Sequence, residues 1–126
     1  MAKFYATMYS EYPIYEPAEG GYYYAGKTAE DLEDNEYETI EDALCDITKW
    51  VEELNKDPYE NEWILTERDA KSAQENINYL IKELGPEEGR TLIAYRPSKY
   101  IGEGAQIYIE IPAAYKKDEC GWRPYQ

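Results

Sequence analysis

The chain has 126 residues and contains no histidine, a single phenylalanine (Phe4), two cysteines, and 13 basic side chains against 27 acidic ones. Each shortage excludes something. Without histidine, Ser-His-Asp and Cys-His nucleophilic sites are ruled out, as are histidine-ligated metals. Cys45 and Cys120 are too few for a disulfide framework and form no Cys-x-x-Cys pair, so free thiols are expected. No run of eighteen apolar residues occurs, so no membrane-spanning helix is expected. The opening "MAKFYATMYS" has no apolar secretory segment, and the expected location is the cytoplasm. No glycine-rich phosphate loop is present; "GEG" at 102–104 is too short and reads as a hairpin turn. A net charge of −14 repels phosphate. Direct nucleic-acid binding is therefore disfavoured and a basic partner favoured.

What is present is globular in composition, with 43% hydrophobic and 32% charged residues. The length predicts one α+β domain over 1–126. Residues 3–9, "KFYATMY", alternate at strand period, with Phe4, Ala6 and Met8 on one face and Tyr5, Thr7 and Tyr9 on the other. "SEYPIYEPAEGG" reads as a long loop, and "YYYAGKT" (22–28) as a second strand. Two helices follow. The first is capped at Thr39 and carries the stripe Ile40, Ala43, Leu44, Ile47, Val51 and Leu54; it ends at Asn55 and Pro58. The second is expected to be capped at Thr66, with Ala70, Ala73, Ile77, Leu80, Ile81 and Leu84 inward, and stops at Gly85-Pro86. Cys45 lies near the edge of the first stripe and reads as a small packed residue. Residues 90–96 and 105–111 read as strands. In the latter Ile107, Ile109 and Ile111 point inward, and Gln106, Tyr108 and Glu110 outward. The tail after Pro112 reads as irregular. The expected architecture is a four-stranded, mostly antiparallel sheet in the order ββααββ, with two helices on one face.

Fifteen tyrosines against one phenylalanine then acquire a physical sense. Two helices cover only one face of such a sheet. The other would carry Tyr5, Tyr9, Tyr95 and Tyr108, each burying a ring against its neighbours while keeping its hydroxyl wet. Such rings either shield the sheet or form a binding surface. One or two of Tyr22, Tyr23 and Tyr24 are expected on that face as well, and Tyr12 and Tyr15, in a segment where no strand needs them, favour binding.

The second surface signal is charge asymmetry. Residues 1–63 carry a net −13 and residues 64–126 a net −1. Within "EDLEDNEYETIED" (30–42), eight carboxylates occur with no basic residue, among them Glu30, Asp31, Glu33, Asp34, Glu36 and Glu38. Glu36 and Glu38 are spaced by about 6.6–6.8 Å in an extended chain. Asp42 and Asp46 are one helical turn apart. An array of this kind is either a solvated acidic face or an imitation of a phosphate backbone, able to occupy a Lys/Arg-lined site. Asp31, Glu33, Asn35 and Asp42 sit at calcium-loop positions, yet Glu36 stands where glycine is needed, so no metal and no cofactor is expected. Carboxylate pairs are too abundant to mark a catalytic dyad, and no catalytic residue is nominated: the chain reads as a non-enzyme.

In length, charge and acidic lobe the chain resembles the small acidic anti-defence proteins of bacteriophages and mobile elements, among them anti-CRISPR inhibitors that act as DNA mimics. No shared motif underlies that resemblance, and no residue is carried over. It implies an inhibitor of a basic, nucleic-acid-handling protein, acting by charge mimicry in the host cytoplasm. Two alternatives stand beside it. One is a module binding a carbohydrate or nucleotide on a tyrosine platform; the other is a structural or accessory subunit. The tyrosines of 22–24 and the carboxylates of 30–42, adjacent in sequence, are expected to form one continuous partner-facing surface suited to arginine.

Overall fold

The computed structural model describes the backbone of residues 3–16, 22–30, 36–57, 62–97 and 104–119, and side chains within 3–11, 36–57, 62–97 and 104–115. The strands are β1 (Phe4–Glu16), β2 (Tyr22–Glu30), β3 (Glu36–Tyr37), β4 (Ile64–Leu65), β5 (Arg90–Arg96) and β6 (Ala105–Glu110). The helices are α1 (Ile40–Leu54), α2 (Ala70–Leu84) and α3 (Pro112–Glu119), with a 3-10 turn at Pro86–Glu88. Five strands run in the order β2-β1-β6-β5-β4, all pairs antiparallel, and β3 pairs with β1 beside that path. The α+β class is as expected; the four-strand count and the ββααββ order are not. β3 and β4 are two residues each, too short to leave a periodic signature.

α1 and α2 pack on the face carrying Phe4, Ala6, Met8, Ile107 and Ile109. Ile40, Ala43, Ile47 and Val51 of α1 and Ala73 and Ile77 of α2 are buried, following the 3.6-residue stripe. The stripes stop short of their expected ends, leaving Leu54 39% and Leu84 64% exposed. Cys45 is exposed rather than packed. At the β5 bulge the register shifts between Leu92 and Ala94, which lets both Ile93 and Ala94 face the core. Thr66 ties that bulge to the preceding segment, its hydroxyl donating to the carbonyls of Leu92 (3.1 Å) and Ile93 (3.0 Å).

Thr66 is thus not the α2 cap. Asp69 is: its carboxylate accepts from the Ser72 amide (2.7 Å), while the Ser72 hydroxyl accepts from the Asp69 amide (3.1 Å). The amide and hydroxyl of Ser72 hold the Asp69 carboxyl below its ordinary pKa. A group depressed in the folded state contributes stability that is complete above its unfolded pKa and lost as pH falls through the folded one. The first turn of α2 is therefore expected to fray as pH drops through and below the ordinary aspartate range. Amide exchange at Ser72 followed against pH reads this directly, and the Asp69→Asn variant should lose the acid-dependent step. An identical step in that variant would assign it to another group.

Two expectations about the second face of the sheet are overturned. The first part of the segment expected to be irregular is helical, and 120–126 lie outside the described residues: α3 folds back over that face. Tyr115 stacks on Tyr5 with ring centroids 4.0 Å apart, Ala114 is fully buried, and the Arg90 guanidinium reaches the Ala114 carbonyl at 3.5 Å. Beneath it, Tyr9 is 1% exposed and its hydroxyl donates to Glu110, which is itself fully buried. So Tyr9 is no solvent-facing ring, and Glu110, although on the second face, does not reach water. Arg90 lies 3.9 Å from the Glu110 carboxylate and 5.7 Å above the Tyr9 ring, and Tyr108 meets Tyr9 edge-on. Tyr115→Ala is expected to remove a stacked pair worth about 0.5–1.5 kcal/mol beyond its buried area. Faster amide exchange at Ala114 and Tyr115, with the α1 and α2 amides unchanged, is the expected result; equal acceleration in all three helices would show that α3 does not open separately.

Candidate functional site

β3 and α1 present the acidic surface, and Tyr37 fixes how. Its backbone carbonyl accepts from the Lys3 amide (3.0 Å), its ring is buried, and its hydroxyl donates to Asp46 (2.9 Å). Strand alternation about a buried Tyr37 turns Glu36 and Glu38 outward, and both are exposed. Thr39 then caps α1, its hydroxyl accepting from the Asp42 amide (3.2 Å). The buried face of α1 turns Glu41, Asp42, Cys45, Lys49, Glu52 and Glu53 to solvent. Glu41 and Asp42 lie in the first turn, where the helix dipole favours negative charge, so the acids there are compatible with a stable helix. Glu36, Glu38, Glu41 and Asp42 form a ridge on ordered backbone. Glu41 and Asp42, the last two carboxylates of the 30–42 run, complete it.

The other expected site residues divide. Asp31, Glu33 and Asp34, with Asn35 of the calcium reading, lie outside the described residues. Glu30 ends β2 opposite Met8. Among the described residues, no group of three acidic or cysteine side chains is placed to hold a metal ion, and no helix is long and apolar enough to cross a membrane.

Tyr12 and Tyr15 are not in a loop. β1 continues through Pro13 to Glu16, pairing Tyr12 with Gly26, Ile14 with Tyr24, Tyr15 with Tyr23 and Glu16 with Tyr22. Pro13 is tolerated because amides alternate along a strand. The Glu11 amide points toward the β6 side, donating to Gly104 (2.9 Å), so the amide missing at position 13 would have pointed the same way, past the end of β6.

The same register sets the backbone of the tyrosine segment apart from that of the acidic ridge. β2 and β3 lie along the same edge of β1, but in opposite stretches of it. Tyr24 is opposite Ile14 and Glu36 opposite Tyr5, nine residues apart along β1, or about 30 Å at ~3.4 Å per residue. Neighbours in sequence are separated because an extended strand carries the chain away faster than any other conformation. Continuing the β2 register would bring Glu33 opposite Tyr5; Glu36 stands there instead, so the chain between the two strands holds three residues more than unbroken pairing would need.

Beside the acidic ridge, a groove of about 610 Å³ opens between the start of β1 and the first turns of α1 and α2, with Lys3, Lys71, Glu38, Glu41 and Glu75 among its lining. Its mixed charges suit a polar chain better than an anion. Compared with protein-family models, curated proteins and solved structures, the chain matches none.

Proposed function

We propose that this is a non-catalytic binding protein that inhibits a basic, nucleic-acid-handling partner by charge mimicry, in the manner of phage-type anti-defence inhibitors, and that it acts in the cytoplasm. The observation that supports this reading is the exposed ridge of Glu36, Glu38, Glu41 and Asp42, held on ordered backbone in a stretch without a basic residue between Lys27 and Lys49. A preorganised array of like charge binds a Lys/Arg-lined surface without first paying the entropy of ordering itself. Asp46, held by Tyr37, extends the array one turn further along α1.

The test uses the immobilised protein to capture partners from a host lysate at low salt. Captured proteins should be nucleic-acid binders and should be released by duplex DNA at unchanged ionic strength. The variant Glu36→Gln/Glu38→Gln/Glu41→Gln/Asp42→Asn should capture less of them. Capture indifferent to both DNA and neutralisation would refute the reading.

A further inference from the structure

The two edges of the sheet differ. β4, at one end, is two residues long, and very short edge strands are poor templates for another chain. β2, at the other end, runs for nine residues, and no described residue pairs with its outer side. It has no proline, and its only charges, Lys27 and Glu30, cancel. In a chain of net −14 this strand is a neutral stretch. It is also thinly supported. Beyond Ser10, β1 has run past its pairing with β6, and among the described residues Tyr12–Glu16 pair with β2 alone. A two-stranded ribbon is at best marginally stable in water, and further strands relieve that.

The register fixes which backbone groups the edge offers. The Glu11 amide donates to Gly104, toward β6, so Glu11 and Lys27 form a non-hydrogen-bonded pair of the β1–β2 ladder. The N–H and C=O of Lys27 therefore point away from β1, and alternation gives Tyr23, Ala25 and Ala29 the same direction.

We propose that β2 pairs with β2 of a second copy, antiparallel about a two-fold axis at Gly26, joining two sheets into one. In that register Tyr23 meets Ala29 of the second copy and Ala25 meets Lys27, and the axis repeats both pairs. All four outward residues then exchange both bonds with their opposites, about eight bonds in all. A slip of one residue sets outward groups against inward ones. A slip of two leaves Tyr23 or Ala29 without an opposite within the strand. Gly26 falls at a non-hydrogen-bonded position, where Cα atoms approach to about 4.5 Å, and it brings no side chain to the axis. No like charges stand opposite one another, since Lys27 meets Ala25 and Glu30 meets Tyr22. This self-complementarity singles out a second copy as the occupant. The ribbon becomes part of a four-stranded β1-β2-β2-β1 arrangement. The net charge of −14 on each copy opposes association. The dimer therefore tightens as salt screens that repulsion, the opposite of the response expected for capture of a basic partner.

Sedimentation equilibrium of the whole chain at about 0.02 M and about 0.5 M NaCl tests this, with amide exchange followed below and above the association midpoint. The expected result is a dimer whose dissociation constant falls several-fold at the higher salt. On association the amides of Tyr23, Ala25, Lys27 and Ala29 should slow by more than those of Tyr24, Gly26 and Thr28, which β1 already holds. Ala25→Pro removes an outward donor but no β1–β2 bond, and should abolish the dimer. Ala25→Lys sets a lysine opposite Lys27 twice and should weaken it by about 2- to 30-fold; Ala25→Lys/Lys27→Glu should restore it. A wild-type chain that stays monomeric at both salts at about 100 µM overturns the proposal. If its four outward amides are already slow, another segment of the same chain covers the edge, and the proposal is equally overturned. So is it by a dimer that dissociates as salt rises, one whose four outward amides do not slow, or one that Ala25→Lys leaves unchanged.

Discussion

Replacing Glu110 by alanine is expected to destabilise the fold by about 3–5 kcal/mol, the cost of removing one member of a buried charged pair. Glu110 is fully buried, receives the Tyr9 hydroxyl, and lies 3.9 Å from an Arg90 guanidinium whose side chain is only 16% exposed. Alanine removes the carboxylate that lies beside the Arg90 guanidinium and accepts from the Tyr9 hydroxyl, and leaves a void. Against a total of about 5–15 kcal/mol, that is a large fraction. Urea unfolding should show a lower midpoint with an unchanged slope. Glu110→Gln keeps an oxygen for Tyr9 and should lose less. Glu110→Leu combined with Arg90→Met removes both charges and should approach the wild-type stability, since apolar replacements of similar volume are often neutral for such pairs. A loss below about 1 kcal/mol for alanine would mean that water reaches the carboxylate in solution.

Neutralising Glu36, Glu38, Glu41 and Asp42 together is expected to weaken capture of the basic partner by about 4- to 900-fold. That range follows from about 0.2–1 kcal/mol for each of four exposed charge pairs. The weakening should shrink at high salt, where the wild-type complex is itself weakened. Stability should barely move. Losing Glu41 and Asp42 from the first turn of α1 costs dipole stabilisation, and losing four like charges relieves repulsion of similar size. Unchanged thermal unfolding beside lost capture is therefore the signature of an interface. Lost folding would instead make these acids structural, and retained capture would move the contact elsewhere on the chain.

The helices were legible because their evidence is local and repeated. Ile40, Ala43, Ile47 and Val51 recur at the helical period after a capping threonine, and all four are buried. β5 was read residue for residue and β6 to within one, since β-branched runs bounded by turn residues need no knowledge of their partners. The α2 cap was misread by one turn. Thr66 and Asp69 are both competent caps, and Thr66 is taken by the carbonyls of the β5 bulge, a contact 26 and 27 residues away. The exposure of Glu36 and Glu38 was implicit in the acidic run, but the anchor between them, Tyr37, shows its role only once Asp46 and Lys3 are brought against it.

By itself, then, the sequence determined the α+β class, both long helices and the excess of negative charge in the first half, because periodicity, caps and composition act over a few neighbouring residues. Tertiary structure alone decided the rest. It buried Glu110 and Tyr9 under α3, a helix whose apolar face is too weak to be seen until the sheet supplies its partner. It extended β1 through a proline, at a position that among the described residues lies past the end of β6. It set the tyrosines and the acidic ridge about 30 Å apart, because a strand's pairing partner, not its neighbour in sequence, decides where its ends lie in space.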